Sequence, residues 1–134
     1  MKMHSRIQAE IDLDAMTYNL EHIKRNLKPG TKIIAVLKAD GYGHGAIPLG
    51  KRIQQDPEVW GIAVATVEEG EELREAGITK PILILGYTYQ EDYKKIVDMD
   101  FRPAVFKQSM AQELSKAAVA AKKTLRIHIK IDTG

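Results

Sequence analysis

The sequence predicts an α/β fold, because strand-like and helix-like segments alternate along the chain. Short apolar runs recur at intervals of roughly 20 to 30 residues, a pace that fits both a (β/α) barrel and a doubly wound sheet. The chain ends directly after a strand, and its 134 residues are about half of what a complete barrel needs. We therefore expect the N-terminal portion of a (β/α)8 TIM-type barrel, incomplete and with about five strands.

Five apolar runs are the candidate strands: 33–37, 61–65, 82–85, 104–106 and 125–131. The first is continuously apolar, which is typical of a strand buried on both faces. In the last, Ile127, Ile129 and Ile131 alternate with His128, Lys130 and Asp132. We expect the isoleucines to face the helix layer and the polar residues to face the barrel interior. An edge strand with one solvated face is the alternative for this pattern.

Capping signals begin three of the predicted helices: Asp12, the capping box of Thr66 and Glu69, and the capping box of Ser109 and Gln112. Pro29-Gly30 should end the first helix and Gly77 the second. The apolar positions expected on one side are Met16, Leu20, Ile23 and Leu27 in the first helix, and Met110, Leu114, Ala117 and Ala121 in the third.

Composition excludes several classes of protein. Lysine and arginine number 20 against 18 acidic residues, so the net charge of +2 gives no electrostatic basis for binding nucleic acid. Cysteine is absent, which excludes disulfides and thiolate metal sites and fits a reducing cytoplasm. There is no leader pattern, and no apolar run approaches the roughly 18 residues of a membrane span. We expect a cytoplasmic protein with no metal, membrane or nucleic-acid partner.

The strongest chemical signal lies in residues 35–45, Ala-Val-Leu-Lys-Ala-Asp-Gly-Tyr-Gly-His-Gly. The predicted strand brings Lys38 to its C-terminal end, where α/β folds place their active sites. A lysine that is partly desolvated there becomes nucleophilic toward an aldehyde. The glycines permit close approach of an anion, and Tyr42 offers a phenolic donor to a phosphate. Taken singly, the same residues also fit a surface lysine followed by a tight turn.

The whole string from Val36 to Gly45 resembles the pyridoxal-phosphate attachment signature of alanine racemases, which are fold-type III enzymes. The resemblance implies that Lys38 carries pyridoxal 5'-phosphate as an internal aldimine and is one of two acid–base groups. It also implies that Tyr42 hydrogen-bonds the cofactor phosphate and that Val36 belongs to the cofactor site. Asp40-Gly41 stands where the commonest family form has Asn-Ala.

The resemblance covers nearly the whole chain. Residues 9–15 and 19–20 look like the family's opening segment, and 81–86 look like the strand whose last leucine, here Leu85, lines the cofactor pocket. Residues 128–134 look like the segment that precedes a Met-x-Arg stretch. In the family the lysine at the position of Lys130 is often carbamylated and holds that arginine, which here would follow Gly134.

The resemblance implies an isomerase that interconverts L-alanine and D-alanine and so supplies D-alanine for peptidoglycan. Residues 1–134 would be the N-terminal part of the cofactor-binding barrel domain, without the rest of the barrel and the C-terminal β domain. The full-length protein would be a homodimer, and this chain alone would be inactive, because the second acid–base group is a tyrosine of the partner subunit. The alternatives are a racemase of serine or another amino acid, a non-catalytic pyridoxal-phosphate-binding barrel protein, and a mere folding fragment.

Overall fold

The computed structural model describes residues 7–134, and the chain divides into two units, Met1–Thr31 and Lys32–Gly134. The first unit contains helix α1, Leu13–Arg25. The Asp12 carboxylate caps this helix by accepting hydrogen bonds from the backbone amides of Asp14 and Ala15. The predicted N-cap is therefore confirmed, since these amides have no partner inside the helix.

The predicted end of α1 at Pro29-Gly30 is wrong. The helix ends at Arg25, and the C-cap residue Asn26 donates its backbone N–H to the carbonyls of Ile23 and Lys24. The Asn26 side-chain amide also donates to the carbonyl of His22 at 2.9 Å. These contacts satisfy carbonyls of the last turn, so the helix closes before the proline is reached.

The second unit is a five-stranded parallel sheet in the order β1-β2-β3-β4-β5. Its strands are β1 (Ile33–Val36), β2 (Val59–Val64), β3 (Ile82–Ile84), β4 (Phe101–Val105) and β5 (His128–Ile129). Each strand pairs with the next in sequence, whereas a doubly wound sheet reverses direction part-way. The unit is thus a half-barrel, as predicted.

Helices connect consecutive strands: α2 (Lys38–Tyr42), α3 (Ala46–Gln54), α4 (Val67–Glu75), α5 (Tyr93–Asp98) and α6 (Gln108–Ala120), with a 3-10 turn at Gln90–Asp92. Within residues 7–134, no helix has the length and apolarity that crossing a bilayer requires. The core lies between the sheet and these helices. Its fully buried side chains include Ile62, Ile82, Ile84, Phe101 and Leu114.

The contact of α4 with the sheet shows how closely this layer packs. A Cβ atom added at Gly70 would lie 3.2 Å from Ile84 Cδ1 and 3.2 Å from the Phe101 ring. A larger residue here would require these side chains to shift by a few tenths of an ångström. The opposite face of the sheet, the barrel interior, carries the exposed Val36 on β1 and the buried Ala63 and Leu83 on the next two strands.

The prediction that residues 33–37 form a fully buried strand is wrong. Strand β1 alternates between half-buried and exposed residues, with Ile34 and Val36 exposed. In the described part of the chain β1 pairs only with β2, so it is an edge strand. On its outer side, no neighbouring strand within residues 7–134 covers Ile34 and Val36. Leu37 is buried but lies after the strand.

The other strand boundaries differ by one to several residues from the prediction. Strand β2 begins at Val59 and β4 at Phe101, both earlier than expected, while β5 is reduced to His128–Ile129. Strand β4 extends through Pro103, which pairs with Ile84.

Of the two predicted capping boxes, only the first is confirmed. The Thr66 side chain accepts from the Glu69 amide, the Glu69 side chain returns to the Thr66 amide, and Gly77 follows directly on the C-cap of α4. The box at Ser109 is wrong, because α6 already begins at Gln108 with Lys107 at its N-cap position and no side-chain cap. Met110 and Leu114 are buried as predicted; the next buried position is Ala118, not Ala117.

Candidate functional site

Lys38 lies at the C-terminal end of the sheet, two residues after β1, as predicted. The backbone after it turns in the left-handed sense: φ is 51° at Ala39, 51° at Asp40, 61° at Gly41 and 56° at Tyr42. Left-handed geometry costs roughly 1–2 kcal/mol for each residue that carries a Cβ. A run of such residues persists only where the surroundings hold it, which marks this turn as a candidate functional feature.

Backbone hydrogen bonds close the turn from within. Gly41 N–H donates to Leu37 O at 2.8 Å, and Gly45 N–H donates to Asp40 O at 2.9 Å. The Asp40 carboxylate accepts from the amide of Ala46, the first residue of α3, at 2.7 Å. Asparagine offers the same acceptor oxygen and tolerates the same backbone conformation. The aspartate at this position therefore preserves the function that an asparagine would have.

Glu69 ties the turn to the neighbouring strand. Its Oε1 accepts from the amide of Ala39 at 2.8 Å, and its Oε2 accepts from the amide of Ala65 at 2.7 Å. Ala65 directly follows β2, so one half-buried carboxylate joins the ends of β1 and β2. Sequence reasoning recognised Glu69 only as a capping-box residue and missed this role.

Tyr42 lies beside Lys38, while Val36 and Leu85 are exposed apolar residues at the same end of the sheet. The Lys38 amine lies 6.0 Å from the centre of the Tyr42 ring. Val36 stands in one row with Ala63 and Leu83 of the next two strands. Its side chain is 41% exposed, and Leu85, which follows β3, is 37% exposed. One strand separates these two exposed apolar side chains, while Ala63 and Leu83 between them are buried.

Lys130 lies at the same end of the sheet but on the far strand. Its amide donates to Val105 O at 2.8 Å, and its exposed side chain lines a cleft with Phe106 and Asp132. His128 takes the interior face, where its ring lies 6.1 Å from Trp60. Ile129 pairs with Val105 on the opposite face but is 76% exposed, so no helix among residues 7–134 covers it.

Comparison with known proteins adds an independent observation. Residues 11–134 match the family model described as alanine racemase, N-terminal domain. The chain belongs to this family. An alanine racemase of Desulfovibrio desulfuricans is 42% identical over 129 residues, which are 96% of this chain and 34% of the relative. An alanine racemase of Methanococcus maripaludis is 41% identical over 96% of this chain and 34% of its own length.

Among solved structures, an alanine racemase of Clostridium difficile 630 in complex with cycloserine is similar to this chain. It superimposes with a TM-score of 0.93 at 38% identity, over 99% of this chain and 35% of that structure. The chain therefore spans about a third of the length of these alanine racemases. The half-barrel matches the N-terminal portion of the barrel domain of the family.

Proposed function

We propose that the full-length protein containing this chain is a pyridoxal-phosphate-dependent alanine racemase in which Lys38 binds the cofactor and moves a proton. The observation that carries the proposal is the position of Lys38 in a chain of this family. The lysine opens a left-handed turn at the C-terminal edge of the sheet, beside Tyr42 and two residues after the exposed Val36.

The residues present fit this cofactor. An aldehyde needs a primary amine, a pyridine ring needs flat apolar walls, and a phosphate needs hydrogen-bond donors. Lys38 offers the amine, Val36 and Leu85 offer exposed apolar surface on the same face, and Tyr42 offers a phenolic O–H. Tyr42 and Lys38 approach each other across the turn, so both can contact one small ligand.

Each of these residues has a distinct task. Lys38 would hold the cofactor through its Nζ, and the free Nζ would take or return the α-proton on one face of the substrate. When bound, the cofactor would supply an electron sink that acidifies this proton. Tyr42 would hold the phosphate, while Val36 and Leu85 would keep water from the ring.

The proton on the opposite face requires a second group, which we assign to a tyrosine of the partner subunit in a cytoplasmic homodimer. The chain of 134 residues would then leave L-alanine unchanged.

Lys130 is the second proposed site residue. Its cleft with Phe106 and Asp132 suits a side chain that orients an arginine from the following segment, and a carbamate on its amine would supply the negative charge for that contact.

Borohydride reduction of the full-length protein, followed by peptide mapping, tests the assignment. We expect the phosphopyridoxyl group on Lys38 and its loss in Lys38→Ala. Lys51→Ala, an exposed lysine on α3, is the control and should keep the label. A label on Lys130, or none, contradicts the proposal. Polarimetry with L-alanine and L-serine separates an alanine racemase from a serine racemase, and no turnover of either indicates a non-catalytic carrier.

A further inference from the structure

We propose that Glu69 is a positioning residue for Lys38, because its carboxylate fixes the backbone immediately after the lysine to the end of β2. The inference rests on the proposed function of Lys38. Glu69 and Ala39 are 30 residues apart in sequence, so the contact is tertiary and is not part of a local turn.

The contacts of Glu69 differ in length, and the differences are informative. In a capping box the glutamate serves the N-cap amide of its own helix. Here that bond, from Thr66 N–H to Oε2, is long at 3.4 Å. The short bonds, at 2.7 and 2.8 Å, come from Ala65 and Ala39. Hydrogen bonds of this length to a carboxylate are charge-assisted and stronger than neutral ones. The carboxylate therefore acts chiefly as a bridge between two strand ends.

Hydrogen bonds fix the backbone on both sides of Lys38. On one side, Leu37 N–H donates to Ala63 O of β2 at 2.8 Å; on the other, Ala39 N–H donates to Glu69. Ala39 has a φ of 51°, a strained conformation for a residue with a Cβ. Without its acceptor this amide has no hydrogen-bond partner within the turn, and the backbone is free to relax toward an ordinary conformation. That relaxation would move the Cα of Lys38 and hence the reach of its amine.

The Glu69 carboxylate accepts hydrogen bonds from two donors at once. This determines which substitutions can test its role. Glu69→Gln keeps the size of the side chain but replaces one acceptor oxygen with a donor, which then faces an N–H group. Glu69→Asp keeps the charge but shortens the side chain, so that it can cap α4 without reaching Ala39. Glu72→Gln is the matched control, since Glu72 lies exposed one turn further along the same helix.

The first measurement is amide hydrogen exchange in the full-length, cofactor-free protein. We expect exchange at Ala39 to accelerate about tenfold or more in Glu69→Gln and Glu69→Asp, and to remain unchanged in Glu72→Gln. Wild-type exchange at Ala39 in both Glu69 variants would overturn the inference. If Glu69→Gln does not fold, Glu69→Asp decides alone, because it retains the helix cap.

The second measurement uses the cofactor-loaded protein. We expect the pH midpoint of the visible absorbance of the Lys38-bound cofactor to shift in both Glu69 variants, and kcat to fall about 10- to 100-fold with little change in KM. A purely structural role would lower thermal stability and leave the pH midpoint at the wild-type value, and that result would refute positioning. If borohydride fails to label Lys38 in the wild type, the proposed function fails, while exchange at Ala39 still decides the contact.

Discussion

Arg74 on α4 connects two loops at the N-terminal edge of the sheet, whereas the Lys38 turn lies at the C-terminal edge. Its Nη1 donates to the carbonyls of Ile78 at 2.7 Å and Lys80 at 2.8 Å, and its Nε donates to Met99 O at 3.1 Å. The guanidinium also lies 5.6 Å from the centre of the Phe101 ring. Burial lowers the pKa of Arg74, but the arginine remains charged at any pH where the protein folds.

Arg74→Met preserves the packing of the aliphatic stem and removes these hydrogen bonds. Hydrogen bonds to a charged group contribute about 1.5–3 kcal/mol each, and water at the half-exposed loops recovers part of the loss. We therefore expect the free energy of unfolding to fall by about 3–5 kcal/mol. Arg74→Lys should lose less, because an ammonium retains donors for some of the carbonyls.

Urea unfolding followed by Trp60 fluorescence, at one fixed protein concentration, measures the effect. With a slope of about 1–3 kcal/mol per molar urea, the midpoint should fall by about 1–5 M. Arg126→Met is the control, since Arg126 is exposed and the chemical change is the same; its effect should stay within about 0.5 kcal/mol. Equal midpoints for the Arg74 and Arg126 variants would refute the reasoning.

Two further predictions concern the opposite edge of the sheet. Gly86→Ala should lower the free energy of unfolding in urea by about 2–4 kcal/mol, because the new Cβ would lie 2.4 Å from Ala65 O. The control Gly50→Ala, with ordinary contacts of 3.4 Å in α3, should be neutral or stabilising. Equal effects of the two substitutions would contradict the packing argument. In a crystal structure of the full-length protein, electron density at Lys130 should extend beyond the amine as a carbamate, and a bare, solvent-facing ammonium would contradict that assignment.

Periodicity predicted the α/β class and about five strands because apolar runs report burial directly. It did not distinguish a barrel from a doubly wound sheet, since both bury the same runs, and the strand order was needed to decide. For residues 33–37, the same apolar signal overestimated burial. Their apolar character predicted burial on both faces, but Ile34 and Val36 lie on an edge strand and are exposed.

Capping signals were reliable only where the capping side chain stood at the N-cap position, as at Asp12 and Thr66. Thr66 is extended, with φ −126°, and its oxygen meets the Glu69 amide. Ser109 has the same spacing to a glutamine, but the helix begins at Gln108 with Lys107 as its N-cap, so the serine lies inside the first turn. The sequence pattern of a capping box therefore predicts a helix nearby. The residue at which that helix begins depends on the packing of the neighbouring elements.

The Lys38 motif could be recognised from the sequence because its residues are contiguous. The residues that hold it in place are far apart in the sequence. Gly86 N–H donates to Ala65 O, Ala65 N–H donates to Glu69, and Ala39 N–H donates to the other oxygen of the same carboxylate. These contacts join the ends of β3, β2 and β1. A glutamate at the third position of a helix has the same local pattern whether its second oxygen faces water or a neighbouring strand. Local sequence therefore identifies the lysine, and only the parallel order of the strands reveals which carboxylate holds it in place.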